Sequence, residues 1–293
     1  LVIFYACVYI IWSFNNTFNH EKKYNMTKII AEIGWNHMGD LRLAKKMILS
    51  AKKNGADYVK TQVFDPSTLK PGPWDRDGRR KIYEKAKITN EKYAKLLKYS
   101  RKIKINFFTS VMNIEGAKMV LNHQKNLIKI PSMENTNYEL LNFCNKNFDK
   151  IIVSTGTAKF SEILKLKKIF GKNKLHILHC TSAYPCLSEN LNLPKIRLLK
   201  KHFKSVGFSD HSLGVYASFI AMSYKINFIE KHFTLDKKLP GRDNKFAILP
   251  EELNQLADFR KFYKNANKFI NKNFLKCEIE ARNNYRGRWS LKL

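Results

Sequence analysis

The segment SVGFSDHSLGVYASFIAMSYKINFIEKHFT (205–234) contains the repeating unit from which the fold is predicted. Two short runs rich in apolar residues, 205–211 and 227–234, flank a stretch with helical spacing. A strand, a helix and a second strand in this order predict a βαβ unit with parallel strands. In both runs charged residues and a histidine stand near the C-terminal end, which is unusual for a buried strand.

The same alternation extends over residues 28–265. Its helical segments include one that Asp40 is expected to cap and one that has Pro250 in its first turn. Eight βα units in about 240 residues predict a closed (β/α)₈ TIM barrel. A doubly wound open sheet is the alternative, but the chain has no GxGxxG or GxxxxGK[ST] motif, so a Rossmann or P-loop nucleotide site is unsupported. The strand-like runs are 28–34, 58–62, 106–111, 127–132, 150–156, 175–182, 205–211 and 227–234.

The composition is typical of a globular protein with a large core. Of the 293 residues, 44% are hydrophobic and 13% are aromatic, which argues against disorder. No apolar run reaches the roughly 20 residues of a membrane span, which excludes a polytopic membrane protein. The five cysteines include no CxxC pair, so we expect reduced thiols and a cytoplasmic protein.

The net charge of +30 does not by itself indicate a nucleic-acid partner. The basic residues comprise 43 Lys and only 11 Arg, and they are spread along the chain. Readers of bases and phosphates favour the planar fork of arginine. We interpret the lysines as solvated helix faces of a protein from an A/T-rich genome, and keep a polyanion-binding protein as an alternative. A positive surface also favours anionic small substrates through electrostatic steering.

The two ends differ from the middle of the chain. Residues 1–25 begin with a uniformly apolar run and lack an initiator Met, whereas Met26 directly precedes the first strand. We expect 1–25 to be an upstream extension or a gene-calling artefact rather than an anchor, and expect no membrane association. Residues 26–265 are predicted to form the barrel, and the polar stretch 266–293 to be a linker or tail.

Polar and charged residues occupy the C-terminal end of every predicted strand. In a TIM barrel these ends surround the active-site mouth. For His37, which follows the first strand, a role as a hydrogen-bonded loop residue and a catalytic role are equally compatible with the sequence. The strand-end residues are Glu32, Lys60, Gln62, Thr109, Ser110, Lys129, Ser132, Ser154, Thr155, His179, Thr181, Asp210, His211, Glu230 and His232.

Lys60 and Lys129 are the candidate anion ligands, since ammonium groups beside several hydroxyls suit a phosphate or carboxylate. One alternative is that a lysine only pairs with Glu32 or Glu134. Another is that a lysine forms a Schiff base, as in barrel aldolases.

His211 and His232 end consecutive strands and are therefore expected to be neighbours at the mouth. Two neutral imidazoles can hold a divalent ion such as Mn²⁺, Fe²⁺ or Zn²⁺. A carboxylate or water molecules would have to complete the shell. Strand alternation leaves open which way Asp210 and Glu230 point.

Two long connections are candidate site covers. The loop LPGRDNKFA (239–247) would place Arg242 and Asp243 over the mouth, with Gly241 permitting a tight turn. The segment 71–80 is longer than a plain βα turn needs, which suggests a lid.

Eight motifs together resemble the sialic acid synthase family, the N-acetylneuraminate and nonulosonic acid synthases that include the spore-coat polysaccharide type. The resemblance covers about 28–265, in order. The motifs are AEIGWNHMGD (31–40), YVKTQ (58–62), IKIPSME (128–134), VSTG (153–156), LHCTSAYP (178–185), GFSDHS (207–212), IEKHFT (229–234) and LPGRDNKFA (239–247).

The resemblance implies a (β/α)₈ enzyme that condenses phosphoenolpyruvate with an N-acyl mannosamine-type sugar, as a homodimer. It implies that His211 and His232 hold a divalent metal, most often Mn²⁺, and that Glu134 and Glu230 lie near the reacting centre. Gln62 is a further candidate for substrate binding. Implied sugar contacts are Glu32, Tyr184 and Asp243. Implied phosphoenolpyruvate contacts are Lys60, Ser110, Lys129, Ser132, Ser154, Ser182 and Ser209.

Three departures from the family pattern qualify these expectations. Val111 stands where most members have Pro, and Ser182 stands where many have Asn. The family usually continues into a small antifreeze-like domain that caps the partner's site and donates an arginine, whereas this sequence ends just after RGRWSL (286–291). We therefore expect either a subfamily without the cap or a truncated chain, with Arg242 or the segment 71–80 as substitutes.

Overall fold

The computed structural model describes residues 26–171 and 173–289. The predicted upstream extension, 1–25, lies outside these residues. Within the described ranges, no helix combines the length and the apolar character that crossing a membrane requires.

Eight parallel strands form a closed barrel in which β1 pairs with both β2 and β8. This confirms the predicted fold and all eight strands. Five predicted runs extend past the observed strand ends, by two residues in β4, β5 and β8, by three in β6 and by one in β7, because the chain turns into loops at the mouth. The strands are β1 (Lys28–Gly34), β2 (Tyr58–Val63), β3 (Asn106–Val111), β4 (Ile128–Ile130), β5 (Ile151–Ser154), β6 (Leu175–His179), β7 (Val206–Asp210) and β8 (Phe228–His232).

Helices surround the barrel and cover its outer surface, except for a short exposed helix at 279–284. As predicted, Asp40 caps the first helix, its Oδ1 accepting a hydrogen bond of 2.7 Å from the amide of Arg42, and Pro250 begins the ninth. The helices are α1 (Leu41–Lys53), α2 (Arg79–Ala86), α3 (Asn90–Lys102), α4 (Ile114–Leu121), α5 (Tyr138–Asn147), α6 (Phe160–Ile169), α7 (Lys195–His202), α8 (Tyr216–Ser223), α9 (Pro250–Ala266) and α10 (Ile279–Asn284).

The main core lies between the strands and the helices. Outward-facing strand residues such as Ile29 and Phe208 belong to one cluster with helix residues such as Ile48, Leu96 and Leu253, all of them buried. Burial of this apolar layer is the principal force that holds the helices against the barrel. The segment predicted as a lid contains a 3₁₀ turn at Pro73–Asp75 and the start of α2.

A second apolar cluster plugs the lower interior of the barrel. Gly207 occupies this level on β7, where a Cβ atom would come within 2.5 Å of Leu178 Cδ2 and of the Phe228 carbonyl. The Leu178 side chain and the Phe228 carbonyl therefore leave no room for a side chain at position 207. The plug consists of Ile30, Phe108, Ile152, Leu178 and Phe228, with Tyr58 and Leu127 packed against it.

The plug also determines which residues reach the mouth. Because side chains alternate along a strand, the residue two positions after each plug residue points into the barrel one layer higher. This layer is polar, in contrast to the layer below it. It contains Glu32, Lys60, Ser110, Lys129, Ser154, Cys180, Ser209 and Glu230.

Candidate active site

A cavity of about 190 Å³ opens at the C-terminal ends of the strands. All of the residues for which the family resemblance implied a role, together with Gln62, line it except Glu134 and Asp243. The lining residues Met112, Pro131, Met133 and Thr157 were not predicted, because apolar or loop residues carry no chemical signal in a sequence. The lining residues are Glu32, Lys60, Gln62, Ser110, Met112, Lys129, Pro131, Ser132, Met133, Ser154, Thr157, Ser182, Tyr184, Ser209, His211, Glu230 and His232.

Two lysines and two carboxylates form a buried ionic network in this cavity. Lys129 Nζ donates to both oxygens of Glu230, at 2.9 and 2.8 Å. Lys60 Nζ lies against Glu32 Oε2 and 3.8 Å from Glu230 Oε1, and the hydroxyl of Ser209 donates to that same Glu230 oxygen. Lys60 therefore pairs with Glu32, as one of the alternatives predicted. Lys129 pairs with Glu230, a partner that had not been predicted for it.

The network shifts the pKa values of its members. Burial lowers the pKa of the Lys60 ammonium to about 7, and Glu230 only partly offsets this effect. Burial alone would raise the pKa of Glu230, but the charges of Lys129 and Lys60 outweigh it and lower that pKa to about 2. At neutral pH, Glu230 is therefore an ionised carboxylate and Lys60 is near its titration midpoint.

Small side chains and hydroxyls form another part of the wall. The Gly156 amide donates to Ser132 Oγ at 3.1 Å, and Ser132 Oγ lies 3.0 Å from Cys180 Sγ. A Cβ atom on Gly156 would come within 2.2 Å of Ser182 Oγ, so glycine is what allows these hydroxyls to approach. The buried Ser154 hydroxyl has no hydrogen-bond partner among the described residues, and is therefore a free donor beside the cavity.

His211 and His232 lie side by side, with ring centroids 5.8 Å apart, and the ring of Tyr184 lies 4.2 Å from that of His211. His211 Nδ1 is 2.8 Å from the Thr181 carbonyl, an arrangement that places the proton on Nδ1 and the lone pair on Nε2, which has Ser209 Oγ at 3.5 Å. Burial lowers the pKa of both imidazoles, so both are neutral at physiological pH.

These two histidines fit a divalent cation as a partial ligand set. His232 Nδ1 is buried, finds no hydrogen-bond partner in the described part of the chain and lies 3.7 Å from Asp243 Oδ2, and neutral imidazoles are the form that binds metals. Across residues 26–171 and 173–289, no group of three or more His, Cys, Asp or Glu side chains is arranged for a metal ion. Water or substrate oxygens would therefore have to supply the other ligands.

Asp243 lies just outside the cavity wall and is held by Trp35, a residue that the sequence analysis did not single out. The indole Nε1 of Trp35 donates to Asp243 Oδ2 at 2.5 Å, and the indole ring contacts Tyr83 of α2, with centroids 4.9 Å apart. Burial raises the pKa of Asp243 to about 6. Glu134 also stays off the wall, and its Oε2 accepts a hydrogen bond from Asn137.

Some polar strand-end residues do not face the cavity. His179 Nε2 is 2.8 Å from the Leu191 carbonyl, and its ring stacks on Phe208. Asp210 points towards the helices and pairs with Lys231, whereas Glu230 points into the barrel. Because adjacent residues of a strand face opposite sides of the sheet, only every second residue of each polar strand end faces the cavity.

Sequence comparisons identify similar proteins for most of the chain. The sequence profile of the NeuB family matches residues 47–271. An N,N'-diacetyllegionaminic acid synthase of Campylobacter jejuni is 36% identical over 248 residues, which are 79% of this chain and 74% of that protein. A pseudaminic acid synthase of the same species is 36% identical over 256 residues, 82% of this chain and 74% of that one.

The fold comparison agrees with the sequence comparisons. A crystal structure of an N-acetylneuraminic acid synthetase from Leptospira borgpetersenii, in complex with citrate, matches with a TM-score of 0.79 and 31% identity. The match covers 90% of this chain and 93% of that one.

Proposed function

Because this chain belongs to the NeuB family of sugar-acid synthases, we propose that it condenses phosphoenolpyruvate with an N-acyl mannosamine-type amino sugar. The products are a nonulosonic acid and phosphate. One observation carries the proposal: two lysines, two carboxylates, several serine hydroxyls and two neutral imidazoles line a single cavity at the barrel mouth. That set matches an anionic substrate beside a polarised carbonyl group.

Phosphoenolpyruvate is proposed to bind on the lysine side of the cavity. Its phosphate and carboxylate would receive charge-assisted hydrogen bonds from Lys60 and Lys129. Hydroxyl donors would satisfy the remaining oxygens, since the buried Ser154 hydroxyl is unpaired among the described residues. The further proposed contacts are Gln62, Ser110, Ser132, Ser182 and Ser209.

The amino sugar is proposed to bind beside the histidines. Glu32, Tyr184 and Asp243 are the proposed contacts, and the Tyr184 ring already packs on His211. His211 and His232 would hold a divalent ion, which we propose to be Mn²⁺. When bound, such an ion acts as a Lewis acid towards the aldehyde of the open-chain sugar.

The residues of the chain account for the remaining steps. Carbon C3 of phosphoenolpyruvate forms a bond to the aldehyde carbon as the carbonyl π bond breaks, and water adds at C2 and gives up one proton, so that the former aldehyde oxygen becomes a hydroxyl. The C2–O bond to phosphate then breaks, and the C2 hydroxyl loses its proton to the departing phosphate, which leaves a keto group at C2. Lys60 and Lys129 stabilise the phosphate and carboxylate charges as they redistribute. We assign the orientation of the water to Glu230, because this ionised carboxylate lines the cavity and can accept a hydrogen bond from the water. Glu134 is kept as a second candidate for this role.

Phosphate release tests the proposal directly. Purified protein is incubated with phosphoenolpyruvate and a panel of N-acyl hexosamines, with and without Mn²⁺. We expect release that requires both a sugar and the metal. Release without any sugar, or none with any sugar of the panel, would contradict the proposal.

A pair of histidine variants tests the metal role. We expect His211→Ala to abolish turnover. His176→Gln is the matched control, because His176 lies at the lower end of β6 and not on the cavity wall, so its activity should match the wild type. Near-wild-type activity of His211→Ala in metal-free buffer would reject the metal role.

A Schiff-base aldolase is the second candidate, and the lowered pKa of Lys60 favours it, since a lysine with a pKa of about 7 is partly the free amine at neutral pH. Reduction with borohydride in the presence of pyruvate separates the two functions. A covalent adduct on Lys60 or Lys129 would support the aldolase, and its absence together with phosphate release supports the synthase.

We also propose that the enzyme is a homodimer. Large apolar side chains are exposed on adjacent helices, Tyr216 and Ile220 on α8 and Phe262 on α9, as at a subunit interface. Sedimentation of the full chain at micromolar concentration tests this proposal, and a monomer would contradict it.

A further inference from the structure

An ion pair is buried behind the two histidines, on the helix side of the barrel. Lys231 Nζ lies 3.0 Å from Asp210 Oδ2, and the two residues are 2% and 1% exposed. They are register partners on β7 and β8, and each directly precedes a histidine of the cavity. Neither residue lines the cavity, so neither is available to touch a substrate there.

The pair belongs to a closed network of hydrogen bonds. Asp210 Oδ1 accepts from the amide and the hydroxyl of Ser212, at 2.8 and 2.6 Å. Asp210 Oδ2 accepts from Ser218 Oγ at 2.6 Å, on helix α8. Lys231 Nζ also donates to the Ser212 carbonyl. Hydrogen bonds therefore restrain both residue 210 and residue 212, and so fix the turn that contains His211.

Stability alone gives little reason for a charged pair at this position. Removing two charges from water carries a desolvation penalty that their attraction often fails to exceed, and apolar residues of similar size are frequently as stable. The surrounding layer between strands and helices is otherwise largely apolar. A directional, cross-strand contact is what the ion pair provides and an apolar pair does not.

The backbone around the two histidines shows why such a contact matters. The β7–β8 ladder ends at the register pair Asp210 and Lys231. Beyond it, the His211 carbonyl accepts from the Cys186 amide at 2.9 Å, and the His232 carbonyl accepts from the Ile248 amide at 2.8 Å. The two histidines are therefore held by different segments, and the contacts of Lys231 with Asp210 and Ser212 link the two strands at this end.

We propose that Asp210 and Lys231 are positioning residues that fix the separation of the His211 and His232 imidazoles for a divalent cation. A metal site tolerates an error of only about 0.5 Å in the placement of its ligands. A tie one residue before each histidine limits relative movement of the strand ends. This inference rests on the proposed metal-binding role of the two histidines.

The test compares metal binding with stability in three variants. Lys231→Met leaves the Asp210 carboxylate buried and without its ionic partner, so it should lower both the affinity for Mn²⁺ and the stability of the protein. The double variant Asp210→Asn/Lys231→Met removes both charges but keeps an acceptor for the Ser212 amide. Its stability should recover relative to the single variant, while its affinity for Mn²⁺ should stay roughly tenfold or more below that of the wild type.

Binding of Mn²⁺ alone is measured from the electron paramagnetic resonance of the free ion, and stability from urea unfolding. Binding of phosphoenolpyruvate without metal, measured by calorimetry, should change little in the double variant. The matched control is Asp57→Asn/Arg260→Met, which removes a partly buried ion pair at the opposite end of the barrel. We expect the control to alter stability without changing the affinity for Mn²⁺.

The outcomes separate this inference from the proposed function. If the wild type shows no saturable binding of Mn²⁺, or if His211→Ala binds it equally well, the positioning role and the proposed metal-dependent function are both overturned. If the wild type binds the ion and His211→Ala does not, but the double variant binds like the wild type, only the positioning role is overturned. Ser218→Ala, which removes one hydrogen bond from Asp210, is a milder variant that should fold and weaken binding by about threefold.

Discussion

The Lys129 ammonium lies within 2.9 Å of both carboxylate oxygens of Glu230, although 101 residues separate them in the chain. Their pairing means that the free cavity neutralises its own positive charge. An incoming phosphate or carboxylate must therefore compete with Glu230 for the same ammonium group. We therefore expect an anionic substrate to bind by exchanging one ionic partner of Lys129 for another.

Glu230→Gln should separate anion binding from turnover. The amide keeps the size of the side chain but removes the negative charge that competes for Lys129 and Lys60. We expect at least about tenfold tighter binding of phosphoenolpyruvate, since two charges separated by a few ångströms in a buried site repel by more than about 1.4 kcal/mol. Turnover should fall, because the carboxylate that is proposed to orient the water is lost. Calorimetry and phosphate release measure the two effects, and weaker binding would contradict the reasoning.

Gly156→Ala should obstruct the hydroxyl side of the cavity. The new methyl group would lie 2.2 Å from Ser182 Oγ and 2.8 Å from Ser132 Oγ, so both hydroxyls must move. We expect the affinity for phosphoenolpyruvate to fall by roughly tenfold, which corresponds to about 1.4 kcal/mol of lost hydrogen bonding. Gly171→Ala is the control, because no heavy atom lies within 4 Å of its Cβ position. Equal binding by both variants would show that the hydroxyls are not substrate ligands.

Trp35→Phe should weaken the use of the amino sugar selectively. Phenylalanine preserves an aromatic contact with Tyr83 but cannot donate to Asp243, and a hydrogen bond to a charged group contributes about 1.5–3 kcal/mol. We expect the KM for the sugar to rise by about tenfold, with the KM for phosphoenolpyruvate unchanged. Trp74→Phe is the control, since its indole donates to the Lys70 carbonyl instead. A parallel rise of both KM values would argue for a general structural effect.

His176 should contribute to acid denaturation. Burial lowers its pKa to about 4, so the unfolded chain takes up the proton at a higher pH than the folded protein does. The stability that this residue contributes is fully present above about pH 6.5 and is lost as the pH falls towards 4. We expect His176→Gln to reduce the loss of unfolding free energy between pH 7 and pH 4.5 by about 2 kcal/mol. Urea titrations at the two pH values measure it, and an unchanged loss would contradict the assignment.

The eight strands were predictable because β-branched and apolar runs that alternate with helical spacing are local signals. The ends of the strands were less predictable. Pro131 has no amide hydrogen to donate, and a 3₁₀ turn at Ser132–Glu134 follows it, so the strand predicted over 127–132 ends at Ile130. Thr157 and Met133 were missed for a related reason, because a loop residue becomes part of a wall only when distant segments meet.

Sequence by itself determined the barrel and the set of polar residues at its mouth, since both follow from the order of residues along single strands. Tertiary structure decided which member of each polar neighbour pair faces inwards, Glu230 rather than Lys231 and Ser209 rather than Asp210. Side chains alternate along a strand, so either set of alternate residues can face the barrel interior, and only the placement of the strand in the barrel selects which set does. Tertiary structure also decided the pairing of Lys129 with Glu230, because charges so far apart in the chain meet only when the barrel closes.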